Sequence, residues 1–125
     1  MIGYATLGTN DIPRARAFYD PLMAMLGATV IPAYSSETEV FYGRGNEGLV
    51  VLIKPYDGRP ASPGNGNMLA LPAANRQQVN AVHAKALELG ASNEGDPGIR
   101  TAPFYGAYFR DLEGHKFAVF CLTPD

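Results

Sequence analysis

Residues 6–28, TLGTNDIPRARAFYDPLMAMLGA, decide the fold. They begin inside a half-apolar run over 2–7 that has strand character, and Gly8-Thr9-Asn10 then reads as a turn. Asn10 or Asp11 can cap a helix in which Pro13 is tolerated, because an N–H of the first turn has no partner to lose. Ile12, Ala15, Phe18, Tyr19, Leu22, Met23 and Leu26 recur at spacings of three and four, which gives that helix one apolar stripe. Gly27 ends it by taking the left-handed conformation that other residues avoid.

Working outward, three further strands are expected over 28–34, 39–43 and 49–54, separated by polar or Gly-containing turns. Residues 55–66, PYDGRPASPGNG, hold three Pro and three Gly and form a connection. Then the pattern restarts. A strand over 67–71 precedes Asn75, a second cap. Val79, Val82, Ala86 and Leu87 line one face of a second helix, which stops at Gly90. Short strands follow at 91–93, 105–110 and 116–122. Both helices run out in the same tripeptide, Leu26-Gly27-Ala28 and Leu89-Gly90-Ala91. Two βαβββ modules explain this, at 1–56 and 67–125 with a linker at 57–66. The fold class is therefore α+β. One helix covers only one face of a four-stranded sheet. Two such sheets curving toward one another are expected to enclose a cavity, and a small-molecule site between the modules.

Composition narrows the partners. The chain has 125 residues, 46% hydrophobic and 18% charged, which suits one globular domain or two small modules sharing a core. Its net charge is −2 and its basic residues are scattered, so no stripe exists to follow a phosphate backbone and nucleic acid is not expected. No apolar run reaches the ~18–20 residues that span a bilayer. The first residues, Met1-Ile2-Gly3-Tyr4, lack a basic n-region, so a cytoplasmic protein is expected. One cysteine, Cys121, and two histidines cannot build a four-ligand structural zinc site, and a lone cysteine suits a reducing compartment.

Several motifs resemble the vicinal oxygen chelate superfamily, which includes glyoxalase I, bleomycin-resistance proteins and extradiol dioxygenases. Thr6-Leu7-Gly8-Thr9-Asn10-Asp11-Ile12 with Ala15-Arg16-Ala17-Phe18-Tyr19-Asp20 is similar to that family's first strand and helix. Tyr108-Phe109-Arg110-Asp111-Leu112-Glu113-Gly114-His115-Lys116 is similar to its turn into the last strand. The resemblance runs nearly the full length. It implies a divalent metal held by inner strands of both modules, and here the carry-over fails. The first-strand position, commonly His, holds Tyr4; the fifth-strand position, commonly His, holds Met68; the last-strand Glu position holds Ala118. The fourth strand offers no His or carboxylate. A phenol and a thioether do not replace His and Glu around a hard or borderline ion, so the usual metal is expected to be absent and no cofactor is assigned.

The remaining chemistry is sparse. His83 sits mid-helix, one position off the apolar face, as a surface or boundary histidine. His115 occupies a turn position, where a side chain bonds local backbone. Cys121, in an apolar strand, reads as a buried structural thiol. Gly64-Asn65-Gly66-Asn67 lacks the Lys and the following helix of a phosphate loop and reads as a turn. Residues 94–100, EGDPGIR, are expected as a loop at the cavity mouth, in which Arg100 pairs with Glu94 or holds a ligand carboxylate. Tyr105 and Tyr108, three apart, point to opposite sheet faces. Tyr4, Met68, Arg100, Tyr105, Tyr108 and Arg110 are the candidate ligand contacts; no catalytic residue is assigned. The expected function is a glyoxalase/bleomycin-resistance-like protein that binds a small molecule. The alternative is a lyase or dioxygenase-type enzyme with a divergent or metal-independent site, for which Glu94 or a tyrosine would serve as base. The superfamily resemblance also implies a homodimer.

Overall fold

The computed structural model describes residues 1–45 and 47–122. The chain divides into two compact units, Met1–Ser62 and Pro63–Asp125, a boundary inside the expected linker. Each unit has one α-helix and one four-stranded mixed sheet, in the same strand order.

The first unit runs β1 (Tyr4–Gly8), α1 (Ile12–Met25), β2 (Thr29–Val30), a 3-10 turn (Pro32–Tyr34), β3 (Glu39–Arg44) and β4 (Glu47–Ile53). Its sheet order is β1-β4-β3-β2, with β1 parallel to β4 and the other pairs antiparallel. Asp11 is the cap of α1, its carboxylate accepting from the Arg14 N–H at 3.0 Å. Asn10 instead accepts from the Ala61 N–H at 2.7 Å. Gly27 adopts φ +77°, letting the Ala28 N–H donate to the Met23 carbonyl at 3.0 Å.

Strand alternation puts Leu7, Val40, Tyr42 and Leu52 on one face, where they are buried with Ile12, Phe18, Leu22 and Met23 of the helix. Burying each such side chain contributes about 1.5–3 kcal/mol. Tyr42 crosses from β3 to α1, its hydroxyl donating to Asp20, which Arg16 also binds at 3.0 Å. Burial, reinforced by donation to Asp20, pushes the Tyr42 phenol far above the ordinary tyrosine value. The strand expected over 28–34 stops early. Pro32 has no N–H for the ladder, and Ser35 Oγ continues the bonding instead, donating to the Ile31 carbonyl and accepting from the Phe41 N–H.

The second unit runs β5 (Leu69–Pro72), α2 (Arg76–Glu88), β6 (Ser92–Ile99), β7 (Tyr105–Arg110) and β8 (Lys116–Cys121), ordered β5-β8-β7-β6. Asn75 caps α2 by accepting from the Gln78 N–H at 2.8 Å, and Gly90 closes it at φ +108°. Val79, Val82 and Ala86 bury completely, as do Ala107, Phe109, Phe117 and Val119 of the sheet. The rings of Phe109 and Phe117 stack 5.4 Å apart.

Two expectations change here. His83 is buried rather than at the boundary. Its Nε2 lies 3.1 Å from Asn93 Oδ1 and 3.2 Å from the Tyr108 carbonyl, two acceptors that satisfy its proton. And 94–99 is not a loop but most of β6. It is an irregular edge strand, with register shifts between Asn93 and Gly95 and between Gly95 and Gly98, where a Pro and two Gly are tolerated.

Candidate functional site

In each sheet the residues that alternate with the helix-side core point to the face away from the helix, where Val51 and Ala118 are nonetheless fully buried. On the first unit, alternation assigns Tyr4, Thr6, Phe41, Leu49, Val51 and Ile53 to that face. Tyr4 is 59% exposed and its ring lies 5.9 Å from that of Phe41, which also meets Tyr34 at 5.7 Å. This surface is aromatic and aliphatic.

The second unit differs. Arg110, Tyr108 and Gly106 of β7 share the outer face with Lys116, Ala118 and Phe120 of β8, to which they are register partners. Tyr108 stands at its centre. The Arg100 guanidinium lies 5.1 Å from the ring centroid and the Lys116 ammonium 5.7 Å from it. Arg110 is paired with Glu94 at 2.6 Å and also donates to the Gly114 carbonyl at 2.8 Å. Toward the other end, Phe104 stacks on Phe120 at 5.1 Å. The face thus grades from stacked rings to fixed cations.

Arg100 reaches Tyr108 because β6 makes room for it. A methyl group on Gly95 would stand 2.9 Å from the Tyr108 ring and 3.1 Å from the Arg100 guanidinium. One on Gly98 would stand 3.2 Å from that guanidinium. The two glycines form a lane along which the arginine side chain lies back over its own strand. Its Nη2 donates to the Asp96 carbonyl at 2.6 Å, while the Asp96 carboxylate accepts from Asn93 at 2.7 Å. The expected pairing of Arg100 with Glu94 does not form, since Arg110 takes Glu94.

The predicted contacts therefore separate. Arg100, Tyr108 and Arg110 share one face. Met68 immediately precedes β5 and is 45% exposed. Tyr4 belongs to the first unit. Tyr105 turns to the helix, donating to Asn80 at 2.6 Å with Arg76 over its ring, and is removed from the outer face. Lys116 was missed. Its place follows only from the pairing of β7 with β8, which the sequence does not announce.

His115 and Asp111 build the turn before β8, where the Asp111 carboxylate accepts from the Glu113 and His115 N–H groups at 3.0 and 2.8 Å. Gly66 adopts φ +89°, as a turn requires. Cys121 is buried. Among the described residues no group of three or more His, Cys, Asp or Glu is placed to hold a metal ion. No helix among them is long and apolar enough to cross a membrane.

No protein-family model and no curated protein matches the chain. Solved structures do. A glyoxalase/bleomycin resistance protein from Albidiferax ferrireducens is 32% identical, over 97% of this chain and 98% of that one, with a TM-score of 0.85. The chain belongs to the glyoxalase/bleomycin resistance protein family. Two further structures share the fold at lower identity. A glyoxalase/bleomycin resistance protein/dioxygenase family enzyme from Burkholderia phytofirmans is 19% identical over 97% and 98% of the two chains, at a TM-score of 0.79. A glyoxalase-related enzyme from Fulvimarina pelagi is 18% identical over 97% of this chain and 87% of that one, at 0.73.

The positions at which the superfamily resemblance places metal ligands hold other residue types. Of the expected ligand positions, Tyr4 offers a phenol, Met68 a thioether and Ala118 a buried methyl. Leu49, Val51 and Ile53 of β4 are aliphatic, but the strand begins two residues earlier than expected and so does contain one carboxylate, Glu47, which lies 3.9 Å from Arg44 at the strand's start. The three expected positions hold none of the His and carboxylate donors that suit a hard or borderline divalent ion.

Proposed function

We propose that this family member binds a small molecule through side chains on the outward sheet faces, with no divalent ion at the family's customary positions. The observation that carries it is that Tyr4, Met68 and Ala118 stand where metal donors are expected, and that the second unit gathers aromatic and cationic groups on the sheet face of Ala118. In metal-dependent members of the superfamily the positive charge comes from the ion. Here Arg100 and Lys116 supply positive charge instead, next to the methyl of Ala118. A carboxylate at that position would compete for those same cations.

The enzymatic alternative needs a base, and Glu94, the carboxylate singled out for it, is held by Arg110 at 2.6 Å. Of the two candidate bases, Glu94 or a tyrosine, that pairing occupies the carboxylate, which favours binding over catalysis. The buried cysteine suits a reducing compartment, and the chain is taken as a cytoplasmic homodimer. Light scattering on the purified protein tests the dimer.

The central test is metal content after purification without chelator, joined to a thermal-shift screen of small molecules. No stoichiometric divalent ion and at least one stabilising ligand are expected. A stoichiometric ion overturns the metal-free part, and a screen in which nothing shifts the melting overturns the binding part.

A further inference from the structure

Among the described residues, the outward face of the second unit carries more cations than carboxylates paired with them. Of its three, Arg110 has Glu94. Arg100 is anchored by a backbone carbonyl, not by a carboxylate, and Lys116 lies over the Tyr108 ring. A chain of net charge −2 thus concentrates positive charge at one spot. Arg100 is also fixed there. Its hydrogen bond to Asp96 and the lane left by Gly95 and Gly98 hold the guanidinium in place before any ligand arrives. Pre-positioning of that kind lowers the entropy lost on binding.

Size and polarity set the ligand. Along β8, Lys116 and Ala118 are one same-face step apart, about 7 Å, and Phe120 is one step further. One aromatic ring with an attached anionic group spans the first of these steps, with the stacked Phe104 and Phe120 beyond it. A guanidinium and an ammonium match a carboxylate, the guanidinium by paired donors and the ammonium as a point charge.

We propose that this face is a receptor for a small planar carboxylate, its anionic group held between Arg100 and Lys116 and its ring on the Phe120 side of Tyr108. This rests on the reading of the chain as a small-molecule binder and names the class of ligand and the residues that select it.

Benzoate and its neutral counterpart benzamide, titrated into the purified protein and followed by backbone amide NMR, test it. Benzoate shifts the signals of Tyr108, Lys116 and Ala118 saturably; benzamide binds at least about tenfold more weakly, and added salt weakens benzoate. Arg100→Gln and Lys116→Gln each weaken benzoate by roughly tenfold. Gly98→Ala weakens it too, by pressing on the arginine. The Lys116 variant guards against a folding defect, since that side chain's described contact is with a ring, and the melting temperature of each variant is recorded alongside. Absence of benzoate binding sinks the proposal, as does binding that neither variant changes. If benzamide binds as well as benzoate, the carboxylate class falls while the small-molecule reading stands. A stoichiometric metal ion in the purified protein has the opposite consequence: it removes the metal-free reading and leaves the carboxylate titration to be judged on its own.

Discussion

The two units have the same strand order and the same helix caps, yet their outward faces share almost no chemistry. The first presents Tyr4, Phe41 and aliphatic residues of β4, and the second presents Tyr108 with Arg100, Lys116 and Arg110. Their inward faces also solve one problem differently. In the first unit a tyrosine, Tyr42, spans from sheet to helix and bonds Asp20. In the second a helix residue, His83, spans to the sheet and bonds Asn93 and the Tyr108 carbonyl. The fold constrains which positions are apolar and how the helix ends. It leaves the polar tie and the outward surface open, and function occupies that freedom.

The contrast between inward and outward faces is tested most strongly in β8. Phe117→Ala, on the fully buried inward side, is expected to cost about 3–5 kcal/mol in urea denaturation. Phe120→Ala, on the outward side, should cost clearly less. Equal losses would mean that the outward ring is core and not surface. Next in size is the tie of the second unit. His83→Leu strips a donor from the Asn93 side chain and the Tyr108 carbonyl, and a loss of about 1–3 kcal/mol is expected. Because that carbonyl belongs to the residue under Arg100, the Tyr108 amide signal should move as well.

The tie of the first unit has the smallest effect and a pH signature. Tyr42→Phe removes one hydrogen bond, about 1 kcal/mol at neutral pH. Folding raises the Tyr42 phenol above its ordinary value of about 10. Its stabilisation is therefore complete below pH ~10 and declines as the pH climbs toward the folded value, because only the unfolded chain then ionises. Denaturation midpoints measured from pH 8 upward should fall with pH in the natural protein, and Tyr42→Phe should flatten that alkaline slope. If the slope is unchanged by the substitution, Tyr42 is not its source.

Much of the architecture was legible because it rests on local signals. The apolar stripe of α1, the cap at Asn75 and the positive-φ glycines Gly27 and Gly90 each follow from neighbours within four residues. Even so, two local signals misled. Gly95, Pro97 and Gly98 read as a loop because breakers normally end strands, whereas an edge strand with bulges accommodates them. His83 read as a boundary residue because the helix stripe alone does not reveal that a polar pair on the facing strands, Asn93 and the Tyr108 carbonyl, awaits it.

The candidate site was legible only in part. Arg100, Tyr108 and Arg110 stood out as residue types, but Tyr105 stood beside them on equal terms until the sheet assigned it to the helix side. By itself the sequence determined the doubled βαβββ plan, the family resemblance and the absence of His and Glu from the expected ligand positions, because periodicity, capping and residue identity are written along the chain. Only the tertiary structure decided that Lys116 joins Arg100 on one ring, that Glu94 goes to Arg110, and that two glycines open the lane between. Those facts depend on which strands pair and in what register, and register is set by the packing of whole faces rather than by any residue's neighbours.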